Sequence, residues 1–409
     1  MITALLLLAL PLPSPLAGQV HVVDAAGGPG SQYTQIQPAV TAAAPGDTVL
    51  VRTGGYASFS VNGKGLVVTA DAGAFVEVPR FFVRDVPFGQ SVRVHGISTF
   101  SQNDGPGLSI EDCDGPVWIE DCDISGPLQA QTSAVQGVDV INAWAATFHR
   151  CSMSGSFALD LPGGSGLRSV NSVVAVFDSV VTGGQGGNTP GGATLPAGAG
   201  AEFTGGMLYA AGTSFTGGHG GSGSTPLGCV DAGDGAPGLM LDGGASAHVT
   251  DSPMVGGAGG TGLPSCADGA AGPGQLLVDG TMLEQAFPAR VLQAVNPVRP
   301  GENLVIEMEG VTGDAVFLWI SVIQSPTYFA PTNDALPILG GFFVPDLATS
   351  LILSAGTMTA GGLQLQFPAP NPSSAVVEVQ VQALIVTGDS PTGLVVSSGQ
   401  GITALGAGF

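Results

Sequence analysis

Between Gly107 and Gln285 the sequence repeats itself, and each copy opens on a glycine. The copies read GLSIEDCDGPVWIEDCDISG from Gly107, GVDVINAWAATFHRCSMSG from Gly137, GLRSVNSVVAVFDSVVTG from Gly166, GAEFTGGMLYAAGTSFTG from Gly200 and GLMLDGGASAHVTDSPMVG from Gly238, with a truncated GQLLVDGTMLEQ from Gly274. The repeated bodies stay at 18 to 20 residues while the opening glycines are 30, 29, 34, 38 and 36 residues apart. Only the connections change length, as in the coils of a solenoid.

Within each body the first and third residues after the glycine are mostly apolar: Leu108 and Ile110, Val138 and Val140, Ala201 and Phe203, Leu239 and Leu241. That is the period of two of a strand with one buried face; Ser169 and Gln275 are the exceptions. The fifth residue is Asp112, Asn142, Asn171, Gly205, Gly243 or Asp279, all types that tolerate a left-handed backbone. A second such column holds Asp121, Arg150, Asp178, Gly212 and Asp251, with Arg150 the misfit. Each coil therefore reads as three short strands, two tight turns and one variable loop. The 66 glycines and 30 prolines suit turns and stacked strands and leave little room for long helices.

Upstream, YTQIQPAVTAAAPGDTVLVRTGGY (Tyr33 to Tyr56) predicts a short helix opening on a Thr34/Gln37 capping box, stopped by Pro45-Gly46 and followed by a strand from Thr48 to Arg52. A helical cap, a PGD leading into the first strand and a GxY closing it resemble the right-handed parallel β-helix proteins of the pectin-lyase-like superfamily. The resemblance covers residues 19–284, with less regular coils in 57–106. It implies an all-β fold and a carbohydrate ligand.

From residue 285 onward the glycine clusters give way to alternating strands, Asn303 to Glu309, Ala315 to Ile323 and Ala375 to Val386, which predict a smaller antiparallel β-sandwich over 285–409. The apolar run Ala4 to Leu12 with small residues at Ala17 and Gly18 reads as a signal peptide over 1–18. An exported protein at the cell surface or beyond it is expected.

Nine basic against 31 acidic residues give a formal charge of −22, which disfavours nucleic acid as a partner. Extracellular polysaccharide or another cell-surface component is the expected partner: cationic surfaces, divalent ions and neutral glycans stay open, an anionic polysaccharide would need a local basic patch, and the oligomeric state is open. No phosphate-cradling loop and no CxxC pair occur, so no cofactor is expected.

Stacking the coils about 4.8 Å apart turns the alignment into a contact map. The outward second position of the first strand becomes Ser109, Asp139, Arg168, Glu202, Met240, Leu276. In the superfamily, lyases and hydrolases carry their sites on the outside of this strand, with a cation to neutralise a uronate carboxylate. Arg168 flanked by Asp139 and Glu202, with Asp160 in the preceding loop, is the catalytic candidate; inter-coil ion pairing is the favoured alternative. The paired carboxylates and RIK of polygalacturonases and the DPHD of alginate epimerases are absent, and His95-Gly96 is an isolated dipeptide. A binding or structural module is therefore expected ahead of a polysaccharide lyase or hydrolase.

In the second-strand and turn columns, His149 falls beside Glu120 and Arg150 beside Asp121, predicting salt bridges across one coil step. The glycine-rich loops after the coils from Gly166, Gly200 and Gly238 lack the GGxGxD of calcium-binding nonapeptides. They read as spanning segments, with Asp231, Asp234 and Asp268 the acids available to a surface ion such as Ca2+. Five cysteines in an exported chain point to bridges. Cys229 and Cys266 occupy matching loop positions and form the expected disulfide. Cys122 and Cys151 share a column, either as a second bridge or as stacked buried thiols.

Overall fold

The computed structural model describes residues 18–100, 105–127, 134–157, 161–187, 195–222, 231–262, 266–321, 324–329, 341–345, 351–369, 376–389, 394–406 and 409. The expected signal segment falls almost wholly outside them. No helix among the described residues is long and apolar enough to cross a membrane.

The repeat forms three parallel sheets of eight, ten and eight strands, each built by stacking the same strand of successive coils. The first-strand sheet runs from Phe59–Asn62 to Gln275–Leu277, the second from Val20–Val23 to Thr281–Gln285, and the third from Gly54–Gly55 to Met254–Val255. This is a parallel β-helix, a topology whose crossovers are right-handed in nearly all parallel sheets. The register matches the sequence alignment: Leu108 faces Val138, which faces Leu167, Ala201, Leu239 and Gln275 in turn. Those inward side chains form the core, each of Leu108, Ile110, Val138, Val140, Leu167, Phe203 and Leu239 being fully buried. Burial of each contributes roughly 1.5–3 kcal/mol.

The turn columns behave as their residue types require. Asp112, Asn142 and Asn171 sit at φ of 52°, 51° and 49°, Gly205 and Gly243 at 68° and 60°. In the second column Asp121, Arg150, Asp178 and Asp251 also have positive φ, with Gly212 among them. Arg150, a poor intrinsic choice at 51°, is held there by its bidentate bond to Asp121. Asp279, in the truncated last coil, does not adopt the left-handed conformation.

A helix, Ile36–Ala42, closes the first coil with Ile36, Ala39 and Val40 turned onto the core. The expected Thr34/Gln37 capping box is not formed: the N-cap is Gln35, with no side-chain capping bond. Both glutamines are used elsewhere. Gln37 Oε1 accepts the Ser60 N–H at 2.7 Å and Gln35 Oε1 that of Ala57 at 2.9 Å, which ties the cap to the first-strand sheet.

The glycine-rich loops do more than span from coil to coil. They run out and back as two stacked layers, hydrogen-bonded at every third residue. Gly183 and Gly186 donate to Thr216 and His219 in the next coil's outgoing segment, and Gly217 and Gly220 donate to Val255 and Ala258 in the one after. Between layers, Gly184 donates to Gly164, Gly198 to Gly184, Gly218 to Gly198 and Gly257 to Ala236. A three-residue period without internal bonds is that of an extended three-fold helix. Glycine is required by the approach: a Cβ on Gly218 would lie 2.0 Å from the Gly184 carbonyl oxygen, and one on Gly257 1.8 Å from that of Gly218.

The C-terminal domain is an antiparallel β-sandwich whose strands include Asn303–Glu309, Ala315–Ser321 and Val376–Val386, around a core of Leu292, Ile306, Leu318, Ile385 and Ile402. Rather than extending the solenoid, it folds back onto the outer face of the second-strand sheet. Val376 and Leu405 pack on Val20, Val22 and Leu50. Accordingly the strands Val67–Ala70, Val92–His95, Val117–Glu120 and Ala146–His149 are buried at all four positions. At the centre of the seam, Arg93 is fully buried, with Nε on Glu120 at 2.7 Å, Nη1 on Glu378 at 2.6 Å and Thr403 at 3.1 Å, and Nη2 on the Gly401 carbonyl. Glu120 in turn accepts the Gly401 N–H at 2.9 Å.

Candidate functional site

The first-strand column is assembled as expected: Ser109, Asp139, Arg168, Glu202, Met240 and Leu276 are consecutive partners. Arg168 Nε and Nη2 donate to the two Asp139 oxygens at 2.9 and 2.6 Å, a fork-to-fork pair. The Asp139 bond raises the guanidinium pKa against the opposing effect of burial. Glu202 Oε2 accepts the Ser165 hydroxyl at 2.9 Å. Asp160 lies outside the described residues. The Nε–Nη2 edge of Arg168 and its charge are matched by Asp139, so the pair joins neighbouring coils.

In the second-strand and turn columns one expected pair forms and the other is exchanged. Arg150 binds both Asp121 oxygens, at 2.7 and 2.6 Å. Glu120 and His149 are neighbours in register, yet Glu120 is taken by Arg93 and His149 Nε2 lies 3.3 Å from Asp178. The docked domain causes the exchange, since it buries Arg93 and leaves Glu120 its nearest countercharge in the β-helix.

Where the turn column meets the C-terminal domain, a cleft of about 540 Å³ opens. One wall carries His95, Asp121 and Arg150; the other carries Gln293, Asn296, Glu307 and Gln364, with Ala294, Val295 and Val305. His95 Nε2 lies 3.1 Å from Asp121, while its Nδ1 faces the Thr69 hydroxyl at 3.3 Å. Burial works against the Asp121 carboxylate, but hydrogen bonds from His95 and Arg150 outweigh it and hold its pKa well below the usual range. On the far wall Glu307 accepts from Gln293 at 3.0 Å and from Gln364 at 2.8 Å. Sequence reading missed this cleft because its walls lie some 200 residues apart and join only through docking. The isolated His95 and the misfit Arg150 were its visible traces.

The three loop acids are spent on the glycine layers. Asp231 accepts the Ala267 N–H, Asp234 that of Ala270 and Asp268 that of Gly262. Among the described residues no group of three or more His, Cys, Asp or Glu side chains is placed to hold a metal ion.

Cys122 and Cys151 are free thiols, as is Cys113, and all three are buried, so the alternative of a Cys122–Cys151 bridge is corrected. Their sulfurs are turned onto backbone carbonyls: Cys122 onto Glu120 at 3.2 Å, Cys151 onto Ile119 at 3.4 Å. Burial drives the Cys122 pKa upward and that of Cys113 to about 11. Cys229 lies outside the described residues, so its bridge to Cys266 stands as a proposal.

No family model matches this sequence. No curated protein matches it either. A similar solved structure is the crystal structure of the enzymatically active domain of bacteriophage CBA120 tailspike protein 2, at 10% identity, covering 91% of this chain and 74% of that chain with a TM-score of 0.18. The coil topology itself defines the class: a parallel β-helix protein carrying a smaller antiparallel β-sandwich that docks against its side.

Proposed function

We propose that this protein works outside the cell as a binding module for extracellular glycan, and that it does not cleave polysaccharide. The observation carrying this reading is the Arg168–Asp139 pair, in which the Nε–Nη2 edge of the guanidinium meets both carboxylate oxygens. The candidate catalytic cation is thereby spent on joining coils. A charge of −22 weighs against polyanionic ligands and leaves neutral glycan as the favoured class. The carbohydrate class itself comes from the resemblance of the cap and coils to pectin-lyase-like proteins. The proposed Cys229–Cys266 bridge belongs with the same exported setting.

The test is a panel of neutral and uronic-acid polysaccharides, scored for retention of the full chain and for released unsaturated uronate or reducing ends. Retention without release is expected. Release that disappears in Arg168→Ala would restore the lyase or hydrolase reading built on Arg168, Asp139, Glu202 and Asp160.

A further inference from the structure

We propose that the cleft between the turn column and the C-terminal domain is the subsite that receives an uncharged, hydroxyl-rich sugar unit. This deepens the glycan reading above and rests on it. A volume of about 540 Å³ falls within the range typical of small-molecule sites. More telling is how the walls are made.

Each carboxylate facing the cleft is fixed by neighbours before any ligand arrives. Asp121 is held by Arg150 through both oxygens and by His95, and Glu307 by the amides of Gln293 and Gln364. An ionised carboxylate offers about four lone-pair directions, and Glu307 uses two. Two more therefore remain for hydroxyl donors. The side-chain oxygens of Gln293 and Gln364 add further acceptors, since it is the nitrogen of each amide that is turned to Glu307. On the donor side, the amide nitrogens of Gln293 and Gln364 each use one N–H on Glu307 and carry a second. Spare acceptors beside a spare donor suit a hydroxyl, which needs one of each. Side chains locked in advance lose little freedom on binding.

The charge pattern chooses among sugars. Arg150 has its fork on Asp121, so its charge is already matched, and Glu307 remains as an uncompensated negative group on the opposite wall. A uronate or sulfated unit would meet repulsion; a neutral unit would not. Among the described lining residues there is no Phe, Tyr or Trp. Recognition therefore runs through hydrogen bonds.

The experiment titrates the full chain with neutral gluco-, manno-, galacto- and xylo-oligosaccharides and with oligogalacturonate, by calorimetry. Wild type is compared with Gln364→Ala, a change at an exposed side chain, with Glu307→Ala, and with Asp114→Ala, a distant exposed acid. At least one neutral oligosaccharide should bind, about tenfold or more weaker in both cleft variants and unchanged in Asp114→Ala. Full affinity in Gln364→Ala and Glu307→Ala overturns the cleft and leaves the glycan reading intact. Binding of oligogalacturonate alone overturns the neutral subsite. No binding by wild type to any panel member sinks the glycan reading and this subsite with it.

Discussion

Arg93 and Glu378 stand 285 residues apart in sequence and 2.6 Å apart across the seam between the β-helix and the C-terminal domain. Arg93 also serves Glu120 and is wholly buried, so two carboxylates depend on one cation. Burial lowers the Arg93 pKa, but Glu120 and Glu378 together raise it above the ordinary arginine value. For Glu378 burial prevails over Arg93, and its pKa is raised.

Removing that cation should therefore unseat the domain. Arg93→Met leaves Glu120 and Glu378 facing each other without a countercharge, a change that typically destabilises by about 3–5 kcal/mol. Urea unfolding should move to lower denaturant. Calorimetry should resolve a separate C-terminal transition where wild type melts as one unit.

The acid side of the stability profile should report Asp121. Its folded pKa lies below the unfolded value of about 3.9. The contribution is thus complete above that value and is lost as pH falls toward the folded one, because protonation releases His95 and Arg150. Chemical unfolding between pH 2 and 6 should show a shallower acid-side loss in Asp121→Asn than in wild type. Equal slopes would mean that the His95–Asp121–Arg150 cluster adds nothing to stability.

The glycine layers should be intolerant of a single methyl group. Gly218→Ala would place Cβ 2.0 Å from the Gly184 oxygen, so the layers must part. A destabilisation of about 1–3 kcal/mol is expected, as for overpacking elsewhere. Gly55→Ala meets nothing within 4 Å and should change stability by less than about 0.5 kcal/mol. Paired thermal melts decide it.

Cys113, Cys122 and Cys151 should resist alkylation in the native protein. Burial disfavours the thiolate, most plainly at Cys113 with its pKa pushed to about 11. Mass spectrometry after non-reducing unfolding should find these three labelled and Cys229 joined to Cys266. Labelled Cys229 would remove the proposed loop bridge.

The β-helix was legible because its determinants are local and repeated. Asp112, Asn142 and Asn171 mark one turn by their tolerance of positive φ, and the apolar pairs such as Val138 and Val140 mark the buried face. In the C-terminal domain local alternation alone marked the strand Asn303–Glu309, while strands such as Leu363–Pro368 and Gln400–Leu405 were not singled out. What could not be read was where that domain sits. Nothing near Arg93 in the sequence announces Glu378 or Gly401, and the alternation in VRVH does not distinguish a solvent-facing arginine from one beneath another domain. That one unknown hid the cleft and misassigned Glu120. The loop glycines showed only that side chains were unwanted there; the close carbonyls that exclude them come from other coils.

The most direct measurement is chain length of a neutral and of a uronate-containing polysaccharide during prolonged incubation with the full protein, followed by size-exclusion chromatography with light scattering alongside a binding titration of the same samples. Saturable binding of the neutral polymer, with the mass of both polymers unchanged, is predicted. A falling polymer mass that Arg168→Ala abolishes would contradict it.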